Sequence, residues 1–157
     1  MGSMTAKSVQ QKMWSKDDFF ITTDPGVVNL DELNEMFDSK GMYWAKKLPE
    51  RVLEEMVKNS LNFSLFHSSQ KKDLLSTEPP KFIGYARCIT DYVTFIYLTD
   101  VYVPPDYQGK GLGKWMVACI QELFHEMPHL RRSMLITGDW NQSVPFYEKT
   151  MKMHNIG

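Results

Sequence analysis

Cysteine is scarce in this chain. Two thiols among 157 residues, Cys88 and Cys119, cannot build a disulfide framework and suit a reducing compartment. Neither sign of charge dominates: 18 basic residues stand against 19 acidic ones, a formal net charge of −1, so no global field draws the chain onto nucleic acid. No apolar run approaches the roughly 20 residues that a membrane-spanning helix needs. The opening Met1-Gly2-Ser3-Met4 lacks the apolar stretch of a signal peptide and reads as a cloning scar, residues 1–4, ahead of one domain at 5–157. His67, His125, His129 and His154 show no metal-ligand spacing. What the chain does have is 43% apolar and 13% aromatic residues, enough for a packed core. These absences together predict a cytoplasmic single domain with no membrane, nucleic-acid or metal partner.

After a polar stretch to about Asp18, Phe19-Phe20-Ile21-Thr22-Thr23 reads as a short strand stopped by Asp24-Pro25-Gly26. Leu30, Leu33, Met36 and Phe37 recur at helical spacing, with Asn29 or Asp31 as cap. Pro49 opens a second helix with Val52, Leu53, Met56 and Val57 on one face. Leu61, Phe63 and Leu65 then alternate as a strand. Two longer strands, 82–89 and 93–103, pair as an antiparallel hairpin turning at Asp91-Tyr92. A helix follows from Gly111 to Pro128, then a strand at Met134-Leu135-Ile136, then a short helix capped by Ser143. The crossover between the last two strands would be parallel. The order predicts an α/β layered domain with a mixed, mostly antiparallel sheet.

The segment from Val101 to Lys114 carries the chemistry. A glycine-rich loop between a strand and a helix suits phosphate, because small residues allow close approach and free N–H groups point outward. A P-loop is excluded by Gln108 and Trp115, and a dinucleotide fingerprint by Lys114 at its third glycine position. What remains is Gln-x-x-Gly-x-Gly, as Gln108-Gly109-Lys110-Gly111-Leu112-Gly113, preceded by Val-x-Pro-x-Tyr at Val103, Pro105 and Tyr107.

This pattern resembles the coenzyme-A loop of the GNAT N-acetyltransferase superfamily. The resemblance extends through Gly84-Tyr85-Ala86-Arg87, Thr90-Asp91-Tyr92, Asp100-Val101-Tyr102-Val103, Lys114-Trp115 and Phe146-Tyr147-Glu148-Lys149. It is closest in kind to a subgroup of small bacterial and fungal members and runs from about Asn29 to Met153. It implies a GNAT fold with a sheet splayed at the cofactor site and about four flanking helices. It also implies acetyl-CoA as co-substrate. Gln108, Gly109, Lys110, Gly111, Leu112, Gly113 and Lys114 would wrap the pyrophosphate. The backbone of Val101, Tyr102 and Val103 would align the pantetheine arm, with a β-bulge aiming an N–H at the thioester carbonyl. Tyr147 sits where members place the acid that protonates the departing thiolate. A phenol with pKa about 10 stays protonated for that task.

The chain departs from the family pattern in two places. Met151-Lys152-Met153 replaces the Gly-Phe expected after the tyrosine, so the final strands would be short, missing or supplied by a second copy. Trp140 stands where an asparagine is usual, with Asn141 one place late.

An alkylamine with pKa about 10.4 must lose a proton before attack. Asp100 is the proposed amine-side carboxylate, as base or anchor, with an ion pair to Arg87 as its rival role. Arg87 itself would hold a substrate carboxylate or serve that pair. Tyr43, Trp44, Tyr92 and Trp140 are candidate walls of an aromatic acceptor pocket, with Asp139 near its mouth. The expected activity is acetyl transfer from acetyl-CoA to a primary amine of a small molecule, polyamine- or amino-acid-like. The alternatives are a protein or peptide amine, or an acyl-CoA-binding module without turnover.

Overall fold

The computed structural model describes residues 6–42, 45–68, 78–136 and 143–154. Six strands form one sheet in the order β1 (Met13–Lys16), β2 (Phe19–Thr22), β3 (Leu61–His67), β4 (Lys81–Thr90), β5 (Phe95–Tyr102) and β6 (Arg132–Met134). Neighbours are antiparallel up to β5, and β5 pairs with β6 in parallel. This is the expected mixed sheet.

One face is covered by α2 (Leu30–Phe37) and α3 (Glu50–Lys58), the other by α4 (Leu112–His125) and α5 (Ser143–Met151). Asn29 caps α2 as its sequence suggests, Oδ1 accepting from the Glu32 N–H at 3.0 Å. α2 buries Leu33, Met36 and Phe37. α3 starts directly after Pro49 and buries Leu53 and Val57, whereas Val52, expected on the same face, is exposed. Strand β3 lies between both layers and is buried at residues 61–66, its polar Asn62 and Ser64 included. No helix among the described residues is long and apolar enough to cross a membrane.

Three differences from the sequence reading have physical causes. The stretch before Asp18 is not merely polar: it holds a one-turn α1 (Ala6–Val9) and the edge strand β1. Strand β1 needs few apolar residues because one side chain does the packing. The Trp14 ring lies 5.9 Å from that of Phe63, and its Nε1 donates to Glu122 at 2.9 Å. The last strand sits two residues earlier than expected, because the amides of Arg131 and Arg132 both donate to the Thr94 carbonyl, at 2.8 and 3.2 Å. That anchor sets the register of β6 against Phe95, Ile96 and Tyr97 only. Finally, β5 ends at Tyr102, so Val103 falls just beyond it.

Two features of β5 position the site. Among the described residues, β6 pairs with β5 only at Phe95, Ile96 and Tyr97. The ladder with β4 also skips a step: Arg87 faces Thr99 while Tyr85 faces Tyr102. The extra residue is accommodated by Asp100, whose φ of +52° is left-handed backbone in a strand.

Candidate active site

Past β5 the chain makes a 3-10 turn at Pro105–Tyr107 and enters α4 through two left-handed glycines, Gly109 at φ +81° and Gly111 at φ +76°. A Cβ at either would meet nothing within 4 Å. These glycines serve backbone conformation, and the space beside them is open. Gly111 is the N-cap of α4 and supplies no side-chain acceptor, and the first turn carries no acidic residue. The leading amides of α4 therefore face open space with the positive end of the helix dipole behind them. Lys110 and Lys114 are exposed beside them. This cradle fits a pyrophosphate.

The Gln108 side chain turns inward: its Nε2 donates to the Val103 carbonyl at 2.8 Å, tying the loop back to the strand end and leaving its backbone to face the cradle. The Tyr102 side chain is also engaged elsewhere. A Cβ on Gly41 would lie 2.5 Å from the Tyr102 ring, so this side chain packs under the Lys40–Met42 turn on the α2/α3 face. Any cofactor contact from Tyr102 is left to its backbone. Val101 and Val103 pack toward the opposite, α4-side core.

The bulge is held by an ion pair. Arg87 Nε donates to Asp100 Oδ2 at 2.8 Å, with side-chain exposures of 16% and 8%. Arg87 Nη1 also donates to Ser60 Oγ at 3.2 Å, and that hydroxyl donates to the Met56 carbonyl at 2.7 Å. Beside it the Tyr85 hydroxyl donates to Asn62 Oδ1, while Asn62 Nδ2 donates to the carbonyls of Val57 and Ser60. Burial raises the Tyr85 phenol well above its usual range. The structure thus shows the rival role foreseen for Asp100 and Arg87. Ser60, Asn62 and Tyr85 were not singled out in the sequence. The available signal was asparagine and serine alternating with Leu61, Phe63 and Leu65.

Tyr147 lies on α5, edge-on to Phe146 at 5.1 Å and packed against the α4-side core. Burial pushes its phenol up to about 12, so the proton is firmly held. No hydrogen bond engages its hydroxyl among the described residues.

Tyr92 is not brought to these groups. It occupies the β4–β5 turn at φ +65°, at the opposite end of β5, with its hydroxyl accepting from Gln10 Nε2 at 3.5 Å. The eight residues of β5 separate it from the glycine loop by roughly 25 Å. Asp91 caps the same turn. Cys88 is fully buried, and burial raises its thiol well above the usual range. Tyr43, Trp44, Asp139, Trp140 and Asn141 lie outside the described residues.

Comparison with known proteins agrees with this geometry. Residues 31–153 match the Acetyltransferase (GNAT) family. The FG08082 protein of Gibberella zeae, named as an acetyltransferase, is 37% identical over 134 residues, covering 80% of this chain and 75% of that one. Histone acetyltransferase TAP1 of Glycine max is 33% identical over 98 residues, 62% of this chain and 41% of its own length. In fold, a GNAT-family crystal structure from Xanthomonas campestris pv. campestris superposes with a TM-score of 0.66 at 23% identity, covering 88% of this chain and 93% of that one. With the family matched across well over half its length, the chain belongs to the GNAT family and is an acyl-CoA-dependent N-acetyltransferase.

Proposed function

We propose that the protein transfers acetyl from acetyl-CoA directly to a primary amine of a small molecule, polyamine-like or amino-acid-like. When bound, acetyl-CoA supplies an acyl group already activated as a thioester. The amides at 109–114 would hold its pyrophosphate, with Lys110 and Lys114 adding charge. The backbone of β5 at Val101 and Tyr102, continuing into Val103, would pair with the pantetheine arm. Tyr147 would give its proton to the departing thiolate. Asp100, acting from within its pair with Arg87, would draw in the ammonium and take up its proton directly or through water.

The observation that carries this reading is the bulge at Asp100. It lies two residues before the end of β5, from which the chain passes through the Pro105–Tyr107 turn and the glycine loop to the uncapped start of α4. Calorimetric titration with acetyl-CoA, with CoA release followed as amines are added, tests it. Binding with release stimulated by polyamines or amino acids supports it, and absence of binding overturns it. The soybean relative's name favours a second reading, a protein amine as acceptor. Release stimulated by lysine-containing peptides and not by small amines would favour that reading.

A further inference from the structure

Tyr107 closes the turn that leads into the glycine loop, and its ring gathers an uncommon set of neighbours. Phe19 meets it edge-on at 6.3 Å and His67 at 5.8 Å, with His67 Nδ1 3.3 Å from the phenolic oxygen. Phe19 and His67 stack on each other at 4.6 Å. These contacts fix the ring. Lys81, the first residue of β4, and Lys110, inside the loop, each place Nζ 6.0 Å from the Tyr107 centroid. Two such radii put the ammonium groups no more than 12 Å apart.

Neither lysine forms an ion pair among the described residues. Two segments distant in sequence thus deliver two cations to one ring, with no acidic partner for either among the described residues, in a chain whose net charge is −1. The aromatic face offers each some attraction, but mutual repulsion persists until an anion sits between them. The site adjoins the loop already assigned to a pyrophosphate. CoA carries a further phosphoryl group, a monoester on the 3′ oxygen of the same ribose whose 5′ oxygen bears the pyrophosphate. A ligand seated on that loop keeps this group within a few bonds of it.

We propose that Lys81 and Lys110, seated on Tyr107, bind the 3′-phosphate of CoA and make the enzyme discriminate against 3′-dephospho-CoA. The proposal rests on the acetyl-CoA reading and adds Lys81 as a specificity residue. Titration of the purified chain with CoA and with 3′-dephospho-CoA tests it. The wild type is expected to prefer CoA about fivefold or more, the scale of an exposed charge pair. The preference should shrink in 0.5 M salt, where screening is strong. Lys81→Ala should lose most of the preference while binding 3′-dephospho-CoA as before, and Lys81→Arg should restore it. Equal affinity of the wild type for both ligands, or a preference untouched in Lys81→Ala, overturns the proposal. Binding of neither ligand overturns the acetyl-CoA reading and the proposal with it.

Discussion

The two ends of strand β5 present the same problem and solve it oppositely. At its start, the turn of residues 91–94 leaves amides unpaired, and Asp91 fills them. Its Oδ1 accepts from the N–H groups of Val93, Thr94 and Phe95 at 2.9, 2.7 and 3.1 Å, and Oδ2 accepts from Thr94 Oγ1. Those bonds hold the carboxyl well below its usual range. At the other end the loop entering α4 also exposes amides, but Gly111 fills none of them. One turn satisfies itself with its own anion and is finished. The other is left to an anion from outside, with lysines at its rim. Unfilled backbone donors beside open space mark the functional end of the strand; positive φ does not, since both ends have it.

The largest effect should come from the functional end. Tyr147→Phe is expected to cut kcat by about 10²- to 10⁴-fold while leaving acetyl-CoA affinity, measured by calorimetry, unchanged. Its titration has a direction too. Burial raises the phenol to about 12, so in alkali the unfolded chain loses this proton first. The stability it contributes is intact below about pH 10 and lost as pH climbs toward 12. Wild type and Tyr147→Phe should therefore diverge in denaturant titrations only in that alkaline window.

Arg87→Met comes next, because it leaves the nearly buried Asp100 carboxylate without its guanidinium. The expected cost is about 3–5 kcal/mol, read as a fall in Tm of roughly 10 °C, and the bulge should relax with it. Gly111→Asp converts the open end into a copy of the closed one by placing a carboxylate at the mouth of the cradle. Acetyl-CoA affinity should fall about tenfold with little change in Tm, since aspartate tolerates left-handed backbone. Smallest is Asp91→Ala, which opens the closed end. It should lower Tm by a few degrees, leave acetyl-CoA binding untouched, and abolish the part of stability that the wild type loses as pH falls below the ordinary carboxylate range. If Asp91→Ala weakened acetyl-CoA binding, the contrast between the two ends would not hold.

Much of this contrast was legible in the chain. Gln108 to Gly113 between a strand and an apolar helix named the loop, and the alternation at Leu61, Phe63 and Leu65 named the strand beneath it. Asn29 announced its helix through cap chemistry, which is local. Strand β1 was not legible because a single tryptophan packs it, and β6 was displaced because the amides of Arg131 and of Arg132, its own first residue, chose the Thr94 carbonyl. The side chains of Tyr102 and Gln108 take partners, Gly41 and the Val103 carbonyl, that nothing in the local sequence reveals.

By itself, then, the sequence determined the elements whose signals lie within a few residues: the periodicity of β3 to β5 and of α2 and α4, the caps, and the left-handed glycines entering α4. Tertiary structure decided what depends on contact between distant segments. Where β6 pairs with β5 and which face each residue around the bulge presents are set by pairing across strands, and a one-residue slip reverses every side chain. That Asp100 meets Arg87, and that Lys81 meets Lys110 over one tyrosine, follows from that pairing, because residues far apart in the chain have no chemistry in common until the fold brings them within reach.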